Sequence, residues 1–221
     1  MVDAGFEIAE GIFSSQACDE LVSRLSSELP TRSRAGARHL MGHPAVAALA
    51  KQEALLEIAR RWVGAGAVPY RATLFDKSVL RNWQVVWHQD TALPLVTRID
   101  SPEWGPWSVK AGVHYAHAPA WALSRIIALR VHLDPSTGEN GPLKILPGSD
   151  RAGVLSDDEV FRLAQRAPPT ECLVGRGGVL VMRPLLVHAS SKARGPEPRR
   201  VIHLEYAMSL DLAPGLRLAV A

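Results

Sequence analysis

The sequence predicts a mainly β protein: a jelly roll, in which two sheets fold over a shared interior, with helices at its N-terminal end. Apolar residues recur at helical spacing in residues 1–64, and from residue 68 onward short β-branched and aromatic runs alternate with Pro, Gly and Asn turns. About eight such runs at this spacing are typical of double-sheet β architectures. The chain shows no internal repeat and no shift in composition, so we expect a single domain over residues 1–221.

Residues 1–66 are expected to form a helical buttress, which begins with an apolar edge strand over residues 6–13. Ser14 or Ser15 can cap a helix that continues to about Leu29, because a serine hydroxyl accepts hydrogen bonds from the first helical amides. This apolar, regularly spaced pattern indicates packing against a core.

Pro30 should end the first helix, and the polar, basic stretch of residues 31–42 predicts a loop. A second helical region is predicted over residues 45–63, with a proline in its first turn and Gly64 at its C-terminal cap. These N-terminal elements show no pattern typical of a catalytic site.

The β core of the jelly roll is expected over residues 67–210. One helix interrupts it, because Ser156 is followed three residues later by Glu159, which is the spacing of a capping box. The predicted strands cover residues 68–76, 84–88, 112–116, 126–133, 143–146, 171–174, 179–182 and 199–208.

Composition and charge are those of a folded globular protein: hydrophobic residues make up 47% of the chain, charged residues 21%, and the formal net charge is +3. The basic residues are dispersed, apart from clusters at 32–38 and 192–200 that are mixed with Gly, Pro or Ser, so we expect no nucleic-acid partner.

No run approaches the ~18 apolar residues of a membrane span, and no leader is visible. Cys18 and Cys172 lack disulfide or zinc spacing, which predicts reduced thiols in a cytoplasmic protein.

Three polar residues near predicted strand ends suggest a metal site. His88 and Asp90 follow a run of Trp and Val residues, and alternate residues of a strand project from the same face. His188 follows a second strand, residues 179–182, and only folding could bring it to the first pair. Two histidines and one carboxylate on one face of a metal suit Fe(II) and oxygen chemistry. The alternative is a polar cluster or a set of surface histidines without a metal.

The order of several motifs is more specific than any one of them. His88-x-Asp90, a distant His188 and, eleven residues later (199 − 188), Arg199 resemble the phytanoyl-CoA dioxygenase-like group of Fe(II)/2-oxoglutarate oxygenases, as do residues 74–77 and 134–149. The resemblance implies a double-stranded β-helix, or cupin-like, fold and the cofactors Fe(II), 2-oxoglutarate and O₂, with His88, Asp90 and His188 as metal ligands. It further implies that a small-molecule substrate is hydroxylated while succinate and CO₂ are released.

Three residues are candidates for binding the cosubstrate. Arg199 is the expected anchor for the distal carboxylate of 2-oxoglutarate, because a guanidinium matches a carboxylate bidentately; a solvated pair with Arg200 is the alternative. Ser190, two residues past His188, could assist the same carboxylate or be a turn serine. Lys77 is a further candidate, since it lies on a predicted strand end where it could face the cavity.

Arg130, Trp104 and Trp107 are candidates for binding the substrate. Alternate residues of the strand at 126–133 divide into an apolar set, expected to pack against a neighbouring layer, and a set that contains Arg130. A buried Arg130 would need an anionic partner, either cosubstrate or acidic substrate, and an outward, solvated Arg130 is equally compatible with the pattern. Trp104 and Trp107, in the long loop after Asp90, could line the substrate mouth or be core aromatics.

Several functions stay open on the sequence alone. Asp90 favours hydroxylation, because halogenating members of the resembling group have a small residue in place of this carboxylate, but desaturation, ring closure and epimerisation are compatible too. A cupin-like Zn²⁺ or Mn²⁺ hydrolase or isomerase would use the same triad without Arg199, and a non-catalytic binding module would keep only the fold. The oligomeric state is unspecified by the sequence, and apolar or aromatic residues such as Leu93, Leu95 and Tyr115 allow a hydrophobic or amphipathic substrate.

Overall fold

The structure is a computed structural model that describes residues 4–29, 36–78 and 80–221. Its helices within these residues are α1 (Ser15–Glu28), α2 (Pro44–Ala50), α3 (Glu53–Val63), α4 (Ala120–Leu123) and α5 (Asp157–Arg166). Its strands are β1 (Phe6–Ala9), β2 (Gly36–Arg38), β3 (Val68–Lys77), β4 (Val85–His88), β5 (Ala92–Leu95), β6 (Trp107–Lys110), β7 (Val113–His117), β8 (Ile126–His132), β9 (Leu143–Ile145), β10 (Thr170–Cys172), β11 (Val179–Met182), β12 (His188–Ser190), β13 (Arg199–Ala207), β14 (Asp211–Ala213) and β15 (Leu216–Arg217). None of the described helices combines the length and hydrophobicity needed to cross a bilayer.

The described strands form two main antiparallel sheets. The large sheet has the order β1-β11-β8-β13-β3-β2, and the smaller one the order β10-β9-β12-β4. A three-stranded sheet, β5-β7-β6, and the hairpin β14-β15 complete the β structure of the described residues. Neighbours in the large sheet are distant in sequence, as in a jelly roll, so the predicted mainly β, double-stranded β-helix fold is confirmed.

The two faces of the large sheet have different environments because its side chains alternate. On β8, Ile127, Leu129 and Val131 pack in one apolar cluster with residues of α1, α2 and α3, as predicted for that face. Burying each such side chain stabilises the fold by roughly 1.5–3 kcal/mol. The helices therefore cover one face of the sheet, and the opposite face of β3, β8 and β13 is left for the polar interior described below.

The N-terminal helices follow the prediction in part. The amide of Ala17 donates to Oγ of Ser14 at 3.2 Å, so Ser14 is the N-cap of α1. Pro30 and residues 31–35 of the predicted loop lie outside the described residues. The single helical region predicted at 45–63 is two helices, because the backbone of Gln52 is extended and serves as the N-cap of α3.

The predicted loop at residues 31–42 also contains a strand, so the prediction is wrong for residues 36–38. β2 pairs with β3, and Gly36 lies opposite Phe75. Gly36 has a φ of 131°, and a Cβ at this position would lie 1.9 Å from the carbonyl oxygen of Leu74. Only glycine permits this close approach, and three residues are too few to show the alternation that identifies a strand.

The segment after Asp90 was expected as a long loop, but it contains β5 and β6. Both pair with β7 and lie at the edges of their sheet. Pro94 within β5 argues against a central strand and is tolerated at an edge, where its missing N–H costs no ladder hydrogen bond. The sequence of β6 gives no strand signal because most of its side chains are exposed to solvent.

The chain after residue 210, beyond the predicted core, packs back onto it. The amide of Ala221 donates to the carbonyl of Tyr70 at 2.7 Å, and the amide of Ala72 donates to the carbonyl of Ala221 at 3.0 Å. Leu212, Leu216 and Leu218 are buried in a second apolar cluster, and Leu218 bridges to Leu95 of β5.

Candidate metal and cosubstrate site

The three proposed metal ligands come together because β4 and β12 are neighbours in the smaller sheet. His188 is the direct partner of His88 in their antiparallel register, and Asp90 follows β4 by two residues. The Asp90 carboxylate lies 3.6 Å from Nε2 of His88 through Oδ1 and 3.6 Å from Nε2 of His188 through Oδ2. One donor atom from each residue lies within 4.8 Å of the others, which places all three around a single point.

Backbone carbonyls hold both imidazoles in the tautomer that a metal needs. Nδ1 of His88 lies 2.8 Å from the carbonyl oxygen of Val86, and Nδ1 of His188 lies 2.8 Å from that of Leu186. A carbonyl only accepts, so Nδ1 carries the proton and Nε2 presents a lone pair. Metal-ligating histidines are commonly oriented in this way, and the residues present therefore fit a divalent metal ion.

The charges of the triad also suit a cation. Burial lowers the pKa of His188 to about 4, which leaves its ring neutral at physiological pH. Burial also acts to lower the pKa of His88, but the Asp90 carboxylate and the Val86 carbonyl outweigh it and raise that pKa. Burial acts to raise the pKa of Asp90, but His188 and His88 hold it well below its usual range, so the carboxylate is ionised.

Arg199 lies in the interior, opposite Lys77 in the register of β13 and β3. It is 3% exposed, its Nε donates to the carbonyl of Asn140 at 3.3 Å, and its Nη2 donates to Oγ of Ser190 at 3.3 Å. Its Nη1 is buried and has no hydrogen-bond partner among the described residues. A buried guanidinium nitrogen without a partner is the donor that an incoming carboxylate would satisfy. The solvated pair with Arg200 is therefore wrong, and Arg200 instead pairs with Asp134 at 2.7 Å.

Ser190 and Lys77 support Arg199. Nζ of Lys77 donates to Oγ of Ser190 at 2.8 Å and to the carbonyl of Ser191 at 2.6 Å, and Oγ of Ser190 donates to the carbonyl of Gly141 at 2.9 Å. Ser190 is thus fixed inside the core rather than in a surface turn.

The anchor region holds positive charge without a balancing acid. Burial and the neighbouring cations lower the pKa of Lys77 to about 7, and burial and Arg130 lower that of Arg199 to about 9. No carboxylate of the described residues contacts either side chain. Such a pair of buried cations disfavours its own charge unless an anion enters, and the distal carboxylate of a keto diacid would supply one.

Arg130 faces the interior, which decides between the two orientations that its strand allowed. Its Nη1 lies 3.0 Å from Nδ1 of His203, and its guanidinium stacks 5.1 Å from the ring centroid of Phe75. Nε2 of His203 lies 3.0 Å from Glu205, which also pairs with Arg71 at 2.8 Å and accepts from the hydroxyl of Tyr70 at 2.6 Å. A buried chain of charged and polar groups therefore crosses the interior face of the large sheet.

A cavity of about 360 Å³ opens beside the triad. His88 and Asp90 form its base, and its wall includes Arg71 of β3 and Tyr115 of β7. The volume is in the range of pockets for small molecules. A substrate in this cavity would lie directly beside the proposed metal ligands.

The model of one protein family, described as phytanoyl-CoA dioxygenase (PhyH), matches residues 2–201. The chain belongs to the PhyH family. The cofactors of this family are Fe(II), 2-oxoglutarate and O₂, so the cofactor prediction is confirmed, and the His-Asp-His set fits the metal. The resemblance found in the sequence is confirmed as well.

Several solved structures share the fold of this chain. AviO1 from Streptomyces viridochromogenes Tue57 is 24% identical over 93% of this chain and 90% of its own, with a TM-score of 0.65. Iron-bound EctD from S. alaskensis is 20% identical over 99% of this chain and 84% of its own, with a TM-score of 0.71. The epimerase SnoN from nogalamycin biosynthesis is 15% identical over 93% of this chain and 78% of its own, with a TM-score of 0.65. No curated protein sequence matches the chain.

Trp104 and Trp107 do not line the cavity of this PhyH protein, so their placement at the substrate mouth is not what the structure shows. Trp104 is 5% exposed and contacts Trp121 edge-to-face, with ring centroids 6.1 Å apart. The indole nitrogen of Trp107 donates to the carbonyl of Trp104 at 3.1 Å. Both pack with the apolar cluster under β5 and β7 and are core aromatics, the alternative that the sequence left open.

Three cations of the cavity wall, Arg38, Arg71 and Lys110, were not identified from the sequence. Only Arg38 gave a signal, because it ends the basic cluster at residues 32–38. Arg71 lies on β3, which pairs with the distant β13, and Lys110 lies on β6, where a loop was expected.

Proposed function

We propose that this protein is an Fe(II)/2-oxoglutarate-dependent oxygenase that hydroxylates a small molecule and releases succinate and CO₂. The observation that carries the proposal is that the possible metal ligands and a possible cosubstrate anchor, Arg199, occur in the same protein interior. Two imidazole nitrogens and a carboxylate converge within 4.8 Å, and the interior also holds Nη1 of Arg199, which has no hydrogen-bond partner among the described residues. The His-Asp-His set suits a metal with open coordination positions, and the Arg199 guanidinium suits a dicarboxylic cosubstrate.

Each residue of the site has a role that its contacts support. His88, Asp90 and His188 bind one face of the metal, and the carbonyls of Val86 and Leu186 fix the two rings. Fe(II) with its keto-acid cosubstrate, when bound, supplies the activation of O₂ that oxidation of a C–H bond requires.

Arg199 orients the cosubstrate by its distal carboxylate, while Ser190 and Lys77 hold the anchor in place. Burial of this anchor excludes water from its charges, which strengthens their attraction to a carboxylate. A Zn²⁺ or Mn²⁺ hydrolase or isomerase would have no use for Arg199, so the geometry favours the oxygenase.

The structural neighbours support the same chemistry. EctD has been solved with iron and with 2-oxoglutarate and 5-hydroxyectoine, and SnoN is an α-ketoglutarate-dependent epimerase. The intact carboxylate of Asp90 and a hydroxylated product in one neighbour favour hydroxylation here, with epimerisation as the second outcome.

Replacing His88 with alanine should abolish iron binding and the release of succinate that depends on Fe(II), O₂ and 2-oxoglutarate. The lost imidazole is one of three ligands, and a two-ligand site holds the metal poorly. Iron content and succinate formation measure the two effects. His114→Ala is the matched control, because His114 is half-buried on β7 outside the triad. Full activity in His88→Ala would reject the ligand assignment.

A further inference from the structure

The mouth of the cavity beside the triad is lined by cations. Arg38 at the end of β2 and Lys110 at the end of β6 are exposed there, and Arg71 lies deeper in the wall. Among the residues that line the cavity, Asp90 is the single acid, and it belongs to the proposed metal site. The cavity therefore carries an excess of positive charge that the metal would increase.

Arg71 is already neutralised, but the two mouth cations are not. Nη2 of Arg71 pairs with Glu205 at 2.8 Å, and its Nη1 donates to the carbonyl of Ala92 at 2.8 Å. Neither Arg38 nor Lys110 forms an ion pair or a side-chain hydrogen bond within the described part of the chain. These two are therefore the charges of the wall that are free to bind a ligand.

Lys110 and Arg71 contact the same aromatic ring, and Arg38 lines the same cavity. Nζ of Lys110 lies 4.8 Å from the ring centroid of Tyr115, and the guanidinium of Arg71 lies 5.7 Å from the same centroid. Burial lowers the pKa of Lys110, and repulsion from Arg38 and Arg71 lowers it further. Like charges held together in this way indicate a site shaped for an anion.

A residue with an uncommon backbone conformation contacts Tyr115. His39, directly after β2, has a φ of 59°, which is rare for a residue other than glycine, and its Nε2 lies 2.8 Å from the hydroxyl of Tyr115. Strain of this kind is retained where the surrounding structure requires one geometry. The contact fixes the end of β2, and with it Arg38, against the wall formed by β7.

We infer that Arg38 and Lys110 bind an anionic group of the substrate, a carboxylate or a phosphate, at the mouth of the cavity while the carbon to be oxidised lies at the triad. This inference rests on the proposed oxygenase function and names the substrate class of the same site. A small acid fits a cavity of about 360 Å³. The sequence allowed a hydrophobic or amphipathic substrate; Leu93, Leu95 and Trp104 are buried in the core, whereas Tyr115 lines the cavity.

The test is a calorimetric titration of the anaerobic protein loaded with Fe(II) and saturated with 2-oxoglutarate, so that the Arg199 anchor is already filled. The probes are acetate, methyl phosphate and the uncharged acetamide. We expect at least one charged probe to bind and acetamide not to bind, and the preferred anion identifies the carboxylate or the phosphate. In the double variant Arg38→Gln/Lys110→Gln, affinity for the charged probe should fall by about tenfold or more, as for loss of a charge-assisted contact.

Lys51→Gln is the control, because Lys51 is exposed between α2 and α3 and its loss removes one positive charge away from the cavity. Equal affinity in the double variant, equal binding of acetamide, or no binding of either anion overturns the inference. The visible absorption of the iron–2-oxoglutarate complex is recorded in the same samples. Its absence counts against the oxygenase proposal, whereas its presence without anion binding counts only against the inference about the substrate.

Discussion

Lys77 is a buried cation whose hydrogen-bond partners are all neutral. It is 1% exposed, and it donates to Ser190 and Ser191 beside Arg199. Water cannot solvate its ammonium and the nearest charges are cations, so its pKa falls to about 7. Protonation of the Lys77 amine therefore decides how much positive charge surrounds Arg199 near neutral pH.

The affinity for 2-oxoglutarate should weaken as pH rises from 6 to 8, a range centred on the pKa of Lys77 and below that of Arg199. Lys77 is protonated below its pKa and attracts the cosubstrate carboxylate; above that pKa the attraction is lost, with a slope of at most about tenfold per pH unit for one proton. Titrating 2-oxoglutarate into the anaerobic Fe(II) protein at several pH values measures the effect. Lys77→Met should bind 2-oxoglutarate weakly with little pH dependence over this range, and a slope equal to that of the unaltered protein would contradict the assignment to Lys77.

Among the strands, β2 has a position that depends on one glycine. Gly36 sits where a Cβ would meet the carbonyl of Leu74 at 1.9 Å, and its φ of 131° is unfavourable for other residues. The pairing of β2 with β3 places Arg38 at the cavity mouth, so the shape of the mouth follows from this close approach.

Gly36→Ala should destabilise the protein by roughly 1–3 kcal/mol, since the strain must be relieved by moving β2 away from β3. Denaturant unfolding measures the free energy, and the charged probe that binds at the cavity mouth should also lose affinity as Arg38 is displaced. Gly42→Ala is the control, because a Cβ at Gly42 meets nothing within 4 Å. If both variants unfold at the same denaturant concentration, the packing argument for Gly36 fails.

The elements that could be predicted are those whose signal is local. Long alternating strands such as β8 and β13, the N-cap Ser14 and the capping box at Ser156 follow from spacing alone, and the structure shows each of them. The triad residues could be named because they stand at strand ends in a recognisable order.

The short edge strands β2, β5 and β6 were not predicted, since three or four residues are too few for alternation to identify a strand. Lys110 was not identified as a cavity residue for the same reason, because its position depends on the pairing of β6 with β7. Arg130 was ambiguous because either face of β8 is compatible with its sequence; the helices that cover the apolar face decide it.

Across the whole molecule, two groups of buried or cavity-lining cations accompany the triad. Arg199, Lys77 and Arg130 occupy the cosubstrate end, and Arg38 and Lys110 occupy the substrate mouth. Asp90 lines the same cavity as Arg38 and Lys110. The protein thus offers separate positions for two anionic small molecules around one metal site.

Removing the metal should lower the thermal stability of the whole chain. An ion that binds only the folded state at a hundredfold excess over its Kd adds about 2.7 kcal/mol, which corresponds to a Tm shift of roughly 5–10 °C for a chain of this size. Thermal unfolding with Fe(II) under anaerobic conditions and with a chelator measures the shift. His188→Ala should show the same Tm in both conditions, whereas His114→Ala should keep the shift; a shift retained in His188→Ala would place the ion elsewhere.

β4 is the last strand of the smaller sheet and has β12 as its one neighbour there. An edge strand is hydrogen-bonded along one side only, so it can separate from its neighbour more easily than a central strand. His88 lies at the end of this edge strand and His188 lies on its neighbour. One ion bound by both residues would therefore cross-link the two strands at the edge of the sheet. The metal ion proposed for the chemistry would then also hold the edge strand of the smaller sheet in place.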